Sequence, residues 1–141
     1  MRGGIVMRQS RTFIPTTREV PSSAEATSHK LLIKAGMVKQ VSAGVYTHLP
    51  LATKVIQKIE KVIREEHEKI GAVELLMPIL QSDEYWKKSG RWNKMGDELI
   101  RVTDRKNAGY ALSPTAEEII CQTVSNMVTS YKQLPVNLYQ I

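Results

Sequence analysis

The sequence predicts an α+β domain, and three patterns predict it. Residues 51–70 place apolar side chains at helical spacing along one stripe. Residues 98–112 alternate, turn and return, which is the pattern of a hairpin. Short helices and strands follow one another without internal repeats or low-complexity linkers, so helices should line one side of mostly antiparallel strands.

Residues 1–21 are expected to be extended and irregular, because Pro15 and Pro21 interrupt any continuous helix, and Met7 is an alternative start. Ser22 and Glu25 have capping-box spacing, which predicts a helix through Ala24, His29, Leu31, Leu32 and Ile33 that stops at Gly36. Residues 37–50 read as a turn and one short strand containing Val45, Tyr46 and Leu49. Pro50 then opens the longest helix, 51–70, and Gly71 ends it. Its stripe is Val55, Ile56, Ile59, Val62, Ile63 and Ile70, while Lys58, Lys61, Arg64, Glu65, Glu68 and Lys69 take the other side. The mixed signs suit a solvated face better than a nucleic-acid track. Leu75, Leu76 and Met77 are consecutive, so residues 72–77 are expected to form a buried strand ended by Pro78.

Ser82 is the expected cap of a short helix through Lys88, with Asp83 and Glu84 in its first turn. Residues 89–92 should lead into a loop. A strand over 98–104, a turn over 104–109 and a return strand over 110–112 follow. A helix should run from Thr115 to about Tyr131, and Pro135 should introduce an apolar strand over 136–141. That last strand has an interior composition, so the sequence looks cut within a sheet.

The chain has 141 residues, enough for one domain with a real core. Its apolar share of 42% and charged share of 24% are those of a soluble globular protein. No apolar run is long enough for a membrane span or a signal peptide, which predicts a chain with no membrane partner. A single cysteine, Cys121, excludes an internal disulfide and a cysteine-rich metal site and fits a reducing cytoplasm. His29, His48 and His67 are scattered and read as surface or cap residues. The net charge of +6 points to an anionic partner, nucleic acid first, although solubility alone also accounts for it.

The residues richest in chemistry are 112–118, Leu-Ser-Pro-Thr-Ala-Glu-Glu, where the return strand turns into a helix. Such a turn fixes the backbone and lets side chains converge on a small ligand. A carboxylate there can pair with an ammonium, and a neighbouring hydroxyl adds one hydrogen bond. The same residues also read as a capping box, with Thr115 bonding an amide of the first turn and Glu118 reaching back to the Thr115 amide. Both readings stay open, and Glu117 is the carboxylate the cap does not need.

Six stretches in this order and spacing carry a resemblance. They are Met7-Arg8-Gln9-Ser10, Leu49-Pro50-Leu51, Glu74-Leu75-Leu76-Met77-Pro78, Ser89-Gly90-Arg91-Trp92, Pro114-Thr115-Ala116-Glu117-Glu118 and Ser130-Tyr131-Lys132-Gln133-Leu134-Pro135. From residue 7 to 141 the chain resembles the N-terminal part of the catalytic domain of the bacterial-type prolyl-tRNA synthetases. The resemblance implies a class II synthetase-like antiparallel sheet flanked by helices, incomplete here. Within 22–141, residues 51–78 look like motif 1, a homodimer interface whose Pro78 lies near the active site. Residues 115–117 look like the T-x-E loop, which implies that Thr115 and Glu117 bind the amine of proline. Arg91 resembles a residue near that site.

The implied activity is proline–tRNA ligation. Proline is activated with ATP and Mg2+ by in-line attack of its carboxylate on the α-phosphate, and the prolyl group then passes to tRNA(Pro). Motifs 2 and 3 and the editing and anticodon-binding domains have no counterpart in these 141 residues. The chain alone is therefore expected to bind neither ATP nor Mg2+ and not to aminoacylate. Ser113 and Ala116 depart from the family's usual Gly and His, and Ser113 requires a backbone with negative φ. Two other readings are a non-catalytic RNA-binding or dimerisation module derived from a synthetase, and a threonine-specific synthetase. The second needs a zinc site of Cys and His that Cys121 does not offer.

Overall fold

The computed structural model describes residues 8–22 and 24–141, and they form an α+β chain in two compact units, one up to Glu66 and one from His67. The expectations for residues 1–7, including Met7 as a start, lie outside the described residues.

In the first unit a single 3-10 turn, Gln9–Arg11, precedes an irregular segment, as the two prolines require. Helix α1 spans Thr27–Lys34, and its N-cap is Ala26 with no side-chain cap. The Ser22–Glu25 capping box therefore does not form. The backbone there is already committed to a turn, in which the Ala24 amide donates to the Pro21 carbonyl at 3.0 Å. Gly36 ends α1 at φ 63°, and a Cβ on it would stand 2.7 Å from the Pro15 carbonyl oxygen. Gly36→Ala is expected to cost about 1–2 kcal/mol for the left-handed backbone alone, with the clash in addition. A thermal melt checks this, and an unchanged midpoint would show that the approach of residue 15 is not tight.

The predicted single strand is a hairpin, β1 (Val38–Ser42) with β2 (Val45–His48). Gly44 at φ 74° makes the turn. Leu49 lies outside β2, and its amide donates to the Met37 carbonyl at 2.8 Å to close the hairpin's base. Helix α2, Pro50–Lys69, begins at its proline and ends before Gly71, as the pattern predicts. Only Ala52 on it is buried, while Val55, Ile59 and Val62 of the apolar stripe are exposed.

In the second unit the expected long buried strand is short and open. β3 is Val73–Glu74, paired in parallel with β7, Leu138–Tyr139. A two-stranded pair has no second layer to cover it, and Leu76 is 89% exposed. The backbone ladder stops because the Gln140 side chain, not a backbone carbonyl, accepts from the Met77 amide at 2.6 Å.

The remaining sheet is antiparallel in the order β4 (Leu80–Ser82), β6 (Gly109–Leu112), β5 (Arg101–Thr103). The turn between β5 and β6 forms where the sequence predicts it. Asp104 Oδ1 accepts from the amides of Lys106 and Ala108, and Asn107 takes φ 62°. Ser82 caps α3 (Asp83–Lys88) by accepting from the Glu84 amide. The predicted loop after it contains a further helix, α4 (Arg91–Lys94), which starts at Gly90 with φ 75°. Trp86, Leu99 and Ala111 form the buried core, with Trp92 and Met95 against it. Helix α5 is Glu117–Met127, and it stops short of Tyr131 because Ser130 and Gln133 cap a separate 3-10 turn, Tyr131–Gln133. The described strands thus form three small sheets rather than one antiparallel sheet flanked by helices.

Candidate functional site

The strand-to-helix turn is anchored from below by the core. The Ser113 amide donates to the Ile79 carbonyl at 2.8 Å, which ties the end of β6 to the segment before β4. Trp86 Nε1 donates to Gln81 Oε1 at 3.1 Å, and Gln81 Nε2 donates to Ser113 Oγ at 2.9 Å. Ser113 Oγ in turn donates to the Thr115 carbonyl. Gln81 is buried, and both ends of its amide are used, as a buried polar group requires. Asn107 is the non-glycine residue with positive φ among the described residues, so Ser113 keeps the negative φ its side chain needs.

The predicted capping box is absent. The N-cap of α5 is Ala116, with no side-chain cap. Glu118 turns instead to Arg91, whose Nη1 donates to both of its carboxylate oxygens at 3.0 and 3.1 Å. Ser89 Oγ donates to the same Glu118 Oε1 at 3.0 Å. A buried carboxylate needs a cation more than it needs an amide, and the Glu118 side chain is only 3% exposed. Arg91 is half-buried, lies over the Trp86 ring at 5.1 Å and brings Nη2 to 3.6 Å from Met95 Sδ. It is a fixed network member rather than a surface residue.

The structure brings Arg91, Thr115 and Glu117 together. Arg91 Nη1 donates to Thr115 Oγ1 at 3.3 Å and stands 3.7 Å from Glu117 Oε2. The Glu117 side chain is 69% exposed at the first turn of α5. Its carboxyl is held below the ordinary carboxylate value, first by the Thr115 hydroxyl, then by its own backbone amide and the Arg91 charge. The outcome is a fixed, ionised carboxylate beside a hydroxyl, open to solvent. That arrangement can receive an ammonium. Pro78, exposed between β3 and β4, is not among the groups joined to Arg91.

Sequence reasoning missed Glu118 as the partner of Arg91 and the support from Ser89, Gln81 and Trp86. Arg91 and Glu118 are 27 positions apart, and no local spacing rule links them. The histidines are also less bland than expected. His29 meets Tyr46 edge-on at 5.2 Å, and His67 stacks on Tyr139 at 4.2 Å. The first unit contains a cavity of about 540 Å³ lined by His29, Leu32, Val45, Tyr46 and His48. Among the described residues, no group of three or more His, Cys, Asp or Glu could hold a metal ion, and no helix is long and apolar enough to cross a membrane.

No family model matches the chain. A proline–tRNA ligase of Macrococcus caseolyticus (strain JCSC5402) is 57% identical over 135 residues, which are 96% of this chain and 24% of that protein. The proline–tRNA ligase of Halalkalibacterium halodurans is 53% identical over the same shares of both chains. A solved structure, the RNA-binding domain of threonyl-tRNA synthetase from Cryptosporidium parvum Iowa II, superposes with a TM-score of 0.65 at 27% identity. The match covers 72% of this chain and 25% of that one. Over nearly all of its length, then, the chain is homologous to about one quarter of the proline–tRNA ligases.

Proposed function

We propose that this chain is part of a proline–tRNA ligase and supplies the loop that holds the amine of proline. The observation that carries the reading is the fixed, ionised Glu117 beside Thr115 at a solvent-open turn, in a chain homologous to proline–tRNA ligases. Protonated proline has two N–H donors on its ring nitrogen. Glu117 takes one and Thr115 Oγ1 the other, which fixes the nitrogen and aims the carboxylate at ATP. This is positioning, not acid–base work. ATP and Mg2+ would be held by residues of the longer protein. This chain has no Gly-rich phosphate loop, and no described cluster of acidic residues suits the metal. Pairing of two copies through 51–78, with Pro78 at its end, belongs to the same proposal. The exposed Val55, Ile59 and Val62 of α2 support it. A cytoplasmic location is also part of the proposal, and it suits the one cysteine, Cys121.

Glu117→Gln in the full-length protein is expected to weaken L-proline binding by about 1.5–3 kcal/mol, the range of a hydrogen bond to a charged group. Proline-dependent ATP–pyrophosphate exchange should fall with it. The depressed pKa of Glu117 means that its charge persists below the ordinary carboxylate range and is lost as pH falls through the lowered value. Thr115→Val removes the first cause of that depression, so the acid limb of proline binding should move to higher pH. Unchanged affinity in Glu117→Gln would remove the reading.

A second reading, an RNA-binding module, is favoured by the charge distribution. Residues 1–66 carry eleven Lys and Arg against five acidic residues, while residues 67–141 carry nine of each. The whole net charge therefore lies in the first unit, where the phosphates of a tRNA would be drawn. The similar threonyl-tRNA synthetase structure is of an RNA-binding domain, which accords with this. A steep salt dependence of tRNA binding that Lys30→Gln and Lys39→Gln reduce would support it.

A further inference from the structure

We propose that Glu118 is a positioning residue that holds the Arg91 guanidinium off Glu117, and so keeps the Glu117 carboxylate available to a ligand ammonium. This rests on the amine-binding reading of Thr115 and Glu117. Three charges meet at the turn: one cation, Arg91, and two carboxylates. The two carboxylates are not equivalent. Glu118 takes Arg91 Nη1 on both oxygens at 3.0 and 3.1 Å, while Glu117 keeps only a longer ion pair with it, at 3.7 Å and beyond hydrogen-bond distance.

Burial explains the preference. Glu118 is out of water and Glu117 is not, so the cation relieves far more desolvation at Glu118 than at Glu117. Each partner has a second contact: Arg91 lies over the Trp86 ring, and Glu118 Oε1 also accepts from Ser89. Ser89 is itself held, because its Oγ also accepts from the Arg91 amide at 3.4 Å.

The charge count then has a consequence. Arg91, Glu117 and Glu118 together carry −1, and one ammonium brings the site to neutrality. If Arg91 closed to hydrogen-bond contact with Glu117 instead, the open carboxylate would be largely neutralised before any ligand arrived. Glu118 cannot serve as the amine ligand, since both of its oxygens are occupied and its side chain is buried. Its contribution is to fix where the cation stands.

The test is a double-variant cycle in the full-length protein, read by calorimetric titration with L-proline and by aminoacylation kinetics. Glu118→Gln removes the anchoring charge and frees Arg91 to approach Glu117. The expected result is about tenfold weaker proline binding, appearing as a raised KM for proline with kcat little changed. Adding Arg91→Met to Glu118→Gln removes the competing cation, and binding is expected to return to within about threefold of the parent. A merely structural Glu118 instead gives a Glu118→Gln variant with a lowered urea midpoint and a lowered kcat, not a raised KM for proline alone. If Glu117→Gln weakens binding but the double variant does not recover, the positioning role is overturned while amine binding stands. If Glu117→Gln binds proline as the parent does, the amine reading itself falls.

Discussion

Arg91→Met is expected to destabilise the protein by about 3–5 kcal/mol, the cost of leaving one partner of a buried ion pair without its counter-charge. The carboxylate of Glu118 is 3% exposed, and Arg91 is the cation within reach of it. With Arg91 gone, Ser89 supplies one hydrogen bond and nothing balances the charge. The first turn of α5 must then open to let in water, and urea unfolding of Arg91→Met against the parent measures that cost. Glu118→Gln separates charge from packing, because the amide keeps the volume. The double variant with Arg91→Met should be closer to the parent than Arg91→Met alone, since neutral groups of similar size often replace a buried pair at little cost. A loss below about 1 kcal/mol for Arg91→Met, the range of an exposed ion pair, would mean that solvent reaches Glu118 freely.

The parts of the fold legible in the sequence are those specified locally. Helix α2 follows from one apolar stripe, a proline at its start and a glycine after its end, and its bounds, Pro50–Lys69, fall within one residue of the expected ones. The Ser82 cap and the Asp104–Asn107 turn rest on side chains that bond their own neighbouring backbone, so composition reveals them. Errors occur where distant residues compete. The Thr115–Glu118 spacing is a valid capping box, but Arg91 offers Glu118 a stronger partner from 27 positions away. The Ser22–Glu25 spacing loses to a turn closed by Pro21. Residues 72–77 look buried because three apolar side chains are consecutive, yet β3 pairs only with two residues of β7. Thr115, Glu117 and Arg91 were legible as candidates through motif resemblance, and their convergence on one guanidinium is a tertiary fact.

Trp86→Ala is the second large effect expected, and its cause lies beneath the site rather than in it. Trp86 has no exposed surface, and it fills the space between Leu99 and Ala111. Truncating a buried aromatic to alanine costs about 3–5 kcal/mol through lost contacts and the cavity left behind. The loss also reaches polar groups. Gln81, itself buried, accepts from Trp86 Nε1 and donates to Ser113. Without the indole its Oε1 is left unsatisfied, for about 1–3 kcal/mol more. Trp86→Phe keeps most of the volume and removes only the N–H, so the difference between the two variants divides packing from hydrogen bonding. Ser113 Oγ bonds the Thr115 carbonyl, so the turn is held partly through this chain of bonds. Trp86→Phe should therefore weaken proline binding even where the protein remains folded, because the Thr115 backbone loses part of the support that reaches it through Gln81 and Ser113. If Trp86→Phe unfolds at the parent's urea midpoint and binds proline with unchanged affinity, the bonded path from Trp86 through Gln81 and Ser113 does not position the turn.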